Sequence, residues 1–142
     1  GYNGPQSNNQ AMTATGMFCR QLDLVPPSDP RMPEGAQALK MRPMSVNNPA
    51  YYYVYYGTLA LYQHQGPVWS EWNDRLKETL PRLQNKNGSD AGSWDKGAGH
   101  AASGGRIIST TLATLSLEVY YRLLPMYGFR NKEVAPPPKP KR

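Results

Sequence analysis

The side chains best suited to chemistry in this 142-residue chain gather around one glycine-rich stretch. Trp94-Asp95-Lys96-Gly97 leads to His100 and then to Gly104-Gly105-Arg106. An aspartate and a histidine on a pliable loop can pass a proton or share a metal ion. A zinc site needs three or four ligands, and only His64 and Cys19 remain to complete one. The plainer reading of Asp95, hydrogen-bonded to local backbone in a turn, is therefore the stronger. Gly104-Gly105-Arg106 at a helix start can offer N–H groups and a guanidinium to an anion. The Lys-Ser/Thr ending of a phosphate loop is absent, so a tight entry turn with a surface arginine explains it as well. Asp95, His100 and Arg106 stand as a candidate polar cluster, with no catalytic residue, metal or cofactor assigned.

Tyrosines form the second set. Tyr51, Tyr52, Tyr53, Tyr55, Tyr56 and Tyr62 crowd one segment, and Tyr120 and Tyr121 end another. Aromatic faces attract cations. Tyr52, Tyr55, Tyr56 and Tyr120, with Trp94, are thus candidates to line an aromatic cavity for a hydrophobic small molecule. The same surface suits a peptide or a sugar. Core packing with hydroxyls reaching polar partners explains these residues without a ligand.

About five helices must position these groups. The first runs from about Asn9 to Leu22, capped by Asn8 or Asn9, and Val25-Pro26-Pro27-Ser28 ends it. A short one follows from Pro30 or Pro33 to Lys40, with proline in the first turn, where its missing N–H costs nothing. The third spans about Asn48 to Gln63 and is apolar on nearly all sides, the mark of a buried helix. Gly66-Pro67 opens the fourth. Its Trp69, Trp72, Leu76, Leu80 and Leu83 share one face, opposite Glu71, Asp74, Arg75, Lys77, Glu78 and Arg82. Pro81 should kink or end it. Residues 85–105 form a glycine-rich loop long enough to be functional or mobile. The fifth helix runs from about Gly105 to Leu124, and Pro125 stops it. Ile107, Ile108, Leu112, Leu115, Val119 and Leu123 line one side of it, and Ala113, Leu117, Tyr120 and Leu124 another. Only Thr111, Thr114, Glu118 and Arg122 leave a polar stripe. Helices three and five read as buried and helix four as two-faced, which suggests inner and outer layers rather than an up-down bundle.

Composition bounds the rest. The length suits one domain. With 39% hydrophobic and 11% aromatic residues, wholesale disorder is not expected. No apolar run approaches the ~18 residues of a membrane span. No charged segment followed by an apolar one is legible near Gly1, although a cleaved signal would leave no trace. The expected organisation is a flexible segment 1–9, a helical domain 10–127 and a Pro/Lys-rich basic tail 128–142. The tail carries Arg130, Lys132, Lys139, Lys141 and Arg142 against Glu133, or +4 of the net +6. The near-neutral remainder predicts no specific nucleic-acid partner. Cys19 is the only cysteine, so no internal disulfide forms.

Several segments together carry a resemblance. They are Tyr53-Val54-Tyr55-Tyr56-Gly57-Thr58-Leu59-Ala60-Leu61, Trp69-x-x-Trp72-Asn73, Leu83-Gln84, Gly92-Ser93-Trp94-Asp95, Gly104-Gly105-Arg106, and the run from Thr111 to Pro125. In these the chain resembles the prenyltransferase and squalene-oxidase repeat family, most closely its planctomycete-type bacterial members. The resemblance covers about residues 10–127, with 51–127 the specific part. It implies a C-terminal portion of such a chain and a partial (α/α) toroid. It also implies that Gln84, Gly92 and Trp94 form a repeat tie, the glutamine amide and the indole joining one helical repeat to the next, although the spacer is unusually long. The family's active motifs have no counterpart here. No Asp-rich acid motif or diphosphate-binding motif is present, and Asp95 lacks the cysteine of a zinc-binding Asp-x-Cys pair. The expected function is a non-catalytic binding or scaffold module. The alternatives are an enzyme on an isoprenoid or other hydrophobic substrate, with Asp74, Asp95 and Glu118 its best acids, and a subunit or fragment of a larger assembly. The last expects an exposed apolar strip on helix three or five, and the rest of the chain or another subunit as partner.

Overall fold

The computed structural model describes residues 9–123 and Met126, without the side chains at 100, 101 and 120. The basic tail 128–142, the first eight residues, and Leu124 and Pro125 lie outside the described residues. What is described is all-α, with no strand among these residues. No helix among them is long and apolar enough to cross a membrane.

Helix α1 spans Gln10–Leu22. Asn9 caps it, its side-chain oxygen accepting from the Met12 amide at 3.2 Å. The helix ends through Leu24, which takes the left-handed position (φ 58°) usually given to glycine. Helix α2 covers Arg31–Lys40, with Pro30 as its cap residue and Pro33 in the first turn. Helix α3 covers Tyr51–His64 and starts later than the expected Asn48. The reason is partly local and partly distant. A residue before proline avoids helical geometry, and the Pro49 carbonyl is taken by the Ala98 amide (3.1 Å).

Helix α4 covers Gly66–Leu83. The turn from α3 uses Gln65 (φ 62°) and Gly66 (φ 76°). Trp69, Trp72, Leu76 and Leu80 are buried on the expected face, each worth about 1.5–3 kcal/mol against exposure. Pro81 sits in the last turn and the helix ends two residues on. The glycine-rich segment is organised by two 3₁₀ turns, Gly88–Asp90 and Gly99–Gly104.

The fifth helix departs from expectation twice. It is α5, Gly105–Leu117, then a turn at Glu118, then a short α6, Val119–Arg122. Ser116 Oγ donates back to the Leu112 carbonyl at 2.7 Å, a bond that bends helices, just before the break. The buried line of α5 is Ser109, Ala113 and Ser116, not the branched residues. Ile107 is 79% exposed and Ile108 41%, so α5 is not buried on most sides.

α3 is the hub, in contact with α1, α2, α4 and α5. α1 runs parallel to it. Gln21 Nε2 reaches the Ala60 carbonyl (2.9 Å) at one end, and Asn9–Ala11 meet Ala50, Tyr52 and Tyr53 at the other. α5 is parallel to α3 as well. The Gly99–Gly104 turn packs on α3 just ahead of α5, and the Tyr62 hydroxyl donates to the Leu123 carbonyl (2.9 Å) beyond its far end. Being nearly all buried, α3 must pair its polar atoms internally. Tyr53 donates to the Arg42 carbonyl (2.6 Å), and Thr58 accepts from the Trp72 indole (3.0 Å). The Gln63 side-chain oxygen accepts from the Met126 amide (2.6 Å). Trp72 lies so close that a Cβ on Gly57 would stand 2.8 Å from its ring.

Candidate functional site

The last turn of α4 leaves carbonyls without helical partners. One of them, Leu80, is capped by the Trp94 indole N–H at 2.7 Å. The next residue after the helix, Gln84, donates its side-chain amide to the Gly92 carbonyl (2.9 Å). Asn85 then pairs twice with the returning arm of the loop. Its amide donates to Ser93 and its carbonyl accepts from Gly92, each at 2.8 Å. Gly92 has φ 84°, a geometry that favours glycine. The loop therefore closes on itself and delivers Trp94, 3% exposed, under α4 beside Tyr51, Val54, Leu76 and Ala113.

The same loop is fastened to α5. The Trp94 amide donates to Thr110 Oγ1 at 3.0 Å, and that hydroxyl faces the Trp94 carbonyl at 3.5 Å. Arg106 pairs with both Asp90 and Asp95, the latter at 2.8 Å. Its own hydrogen bond to Asp90 raises the guanidinium pKa further above its usual value. Asn85 adds a 3.3 Å bond to Asp95. Gln84, Gly92 and Trp94 are thus brought into one seam, with Asp95 and Arg106 along its outer edge. The indole holds the helix end and the glutamine holds the loop. The side chain of His100 lies outside the described residues. Thr110, Asp90 and Asn85 complete the seam, and no motif in the sequence marks them.

The proposed aromatic set divides. Tyr52 and Tyr56 lie with ring centroids 4.8 Å apart, and Tyr55 and Tyr56 at 5.2 Å, all three half-buried. Trp94 is solid core under α4, so it does not line a cavity with them. The Tyr120 side chain lies outside the described residues. Tyr52 borders an open cleft of about 290 Å³ where the starts of α1 and α3 meet. Burial pushes the Tyr51 hydroxyl up to about 12, with the Asp95 carboxylate adding to it. Burial raises Tyr53 and Tyr56 too.

Other clefts are open as well. One of about 380 Å³ lies over the seam, between Asp90, Ser93, Arg106 and Thr110. Another, about 490 Å³, runs between α1 and α2. Among the acids, Asp95 and Asp74 are mostly exposed (65% and 76%), and Glu118 is half-buried. Among the described residues no cluster of three metal-ligating side chains forms. No family model, curated protein or solved structure matches the chain.

Proposed function

We propose that this chain is a non-catalytic scaffold or binding module of the α/α-repeat kind, a partial toroid with α1, α3 and α5 in one layer and α2 and α4 in the other. Membership of the prenyltransferase and squalene-oxidase repeat family belongs to the same proposal. The observation that carries it is how the chemistry-bearing side chains are used. Trp94, Gln84, Asp95 and Arg106 are committed to hydrogen bonds or ion pairs in the seam that joins α4 to α5. A joint of this kind suits a glutamine and an indole placed to tie adjacent repeats.

The test sets stability against turnover. Trp94→Phe removes the donor that caps Leu80 and should cost about 1–3 kcal/mol in urea unfolding. The unaltered protein should not convert isoprenoid diphosphates or squalene-like substrates. Turnover that disappears in Asp95→Asn would replace this reading with the enzymatic one.

A second reading, membership of a larger assembly, rests on the two ends of the helix row. α5 exposes Ile107 and Ile108 at one end, and α1 exposes Met12 and Leu22 at the other. A helical array normally covers such flanks with a further repeat or a polar cap.

A further inference from the structure

The two ends of the α1–α3–α5 row differ in shape and complement each other. At the α1 end, the 490 Å³ cleft between α1 and α2 has Gly16 and Gly35 along it, with Met12 toward its start. Arg20 and Glu34 border the same cleft; neither forms a salt bridge among the described residues, though the Arg20 charge is felt by the Asp29 carboxylate. At the α5 end, Ile107 and Ile108 project from the first turn. Glu118 and Arg122 follow beyond the last, again with no ion pair among the described residues. One end is a cleft with two glycines along it, Gly16 under the Arg20 guanidinium and Gly35 against Met17, the other a pair of large apolar side chains. Among the described residues each end carries charges of both signs, Arg20 with Glu34 at one and Glu118 with Arg122 at the other.

We propose that copies of this chain associate edge to edge, the α5 end of one seated against the α1–α2 end of the next. The inference rests on the reading of the chain as a member of a larger assembly, and it names a second copy as the partner. The geometry follows from the row itself. α1, α3 and α5 are parallel, so the α1 of a second copy laid beside α5 in the same sense continues the row. α1 and α5 are each 13 residues long. In register, Met12 of the next copy meets Ile107 and Ile108, and its Gly16 admits Thr111. Its Arg20 then falls within about 5 Å, along the axis, of Glu118, a distance a guanidinium spans. Glu34 of that copy is left for Arg122. Because the two surfaces differ, the contact is head-to-tail and does not stop at two copies.

Cys19 provides the readout. It is the only cysteine and is exposed on the α1 end. Thr111→Cys adds one exposed thiol at the α5 end. Mild oxidation of that variant should give a ladder of trimers and longer chains on non-reducing gels. The unaltered chain, with one thiol, stops at dimers. Adding Ile107→Glu and Ile108→Glu should abolish the ladder and weaken association in sedimentation at least tenfold, with the helical circular dichroism retained. Arg20→Glu and Glu118→Arg should each weaken association, and the double variant should recover it.

A monomeric mass at several hundred micromolar, with no product beyond the dimer in Thr111→Cys, would overturn the proposal. Binding of an apolar dye then separates the two readings. A monomer that binds the dye, and loses it with Ile107→Glu and Ile108→Glu, refutes the second copy while leaving a different partner for the edge. A monomer that binds no dye removes the assembly reading as well.

Discussion

α3 and α5 are both rich in apolar residues, and in the sequence both read as interior helices. They end up in different places. α3 is covered on nearly every side, while α5 fully buries only Ser109, Ala113 and Ser116, half-buries Leu112 and Leu117, and leaves its isoleucines largely in water. The difference lies in their neighbours. α3 meets α1, α2, α4 and α5, and the Trp72 ring and the Gln21 side chain reach its backbone. α5 has α3 on one side, and against a helix bearing Tyr51 and Val54 its fully buried positions are small, with Leu112 and Leu117 packed at the border of the contact. Apolar content measures what a helix can bury. Which residues it buries depends on the surface it meets.

Substitutions can break this contrast. The largest effect should come from Gly97→Ala. A Cβ there would lie 1.9 Å from the Pro49 carbonyl oxygen and 2.8 Å from the Tyr51 ring, and backbone cannot yield as a side chain does. A loss of about 3 kcal/mol or more is expected in urea unfolding. A loss under 1 kcal/mol would show that the first turn of α3 is not held this way. Next comes a pair of changes on α5. Ala113→Leu overfills the α3 contact and should cost about 1–3 kcal/mol, whereas Ile107→Ser should stay within about 0.5 kcal/mol. The reverse order would put the isoleucine face inside and erase the contrast.

The smallest effect is alkaline. Tyr51 has its pKa raised to about 12, first by burial and then by Asp95. The unfolded value is about 10. The neutral hydroxyl is favoured in the fold, so its contribution is complete below about pH 10 and is lost as the pH rises toward about 12. Melting temperature should fall across that window. In Tyr51→Phe the fall should be shallower, with Tyr53, Tyr56 and Tyr62, raised by burial in the same direction, contributing to what is left.

Much of the helix order was readable because its signals are local. Asn9 as a cap, proline at the start of α2, and the Trp69–Trp72–Leu76–Leu80 face all follow from short-range chemistry. The start of α3 was not readable, because it depends on Ala98, far along the chain, claiming the Pro49 carbonyl. Nor was the inward face of α5, where Ala113 and two serines outrank branched residues for steric reasons. In the candidate site, Gln84, Gly92 and Trp94 were visible as a set. Thr110 and Asp90 carry no pattern of their own, since a threonine or an aspartate acquires its partner only once the loop closes.

The contact between Pro49 and Ala98 has a further bearing on how the molecule is assembled. It joins the entry to α3 with a segment that follows all of α4 and the loop, so closing it costs the chain entropy of everything between. Contacts of such sequence separation slow folding. The α3 end of this contact is set by a local bond, Val54 to Ala50, but its distant end is available only where α4 and the Trp94 seam hold residues 97 and 98 against it. The entry to the central helix thus depends on the loop that follows its neighbour as well as on its own residues.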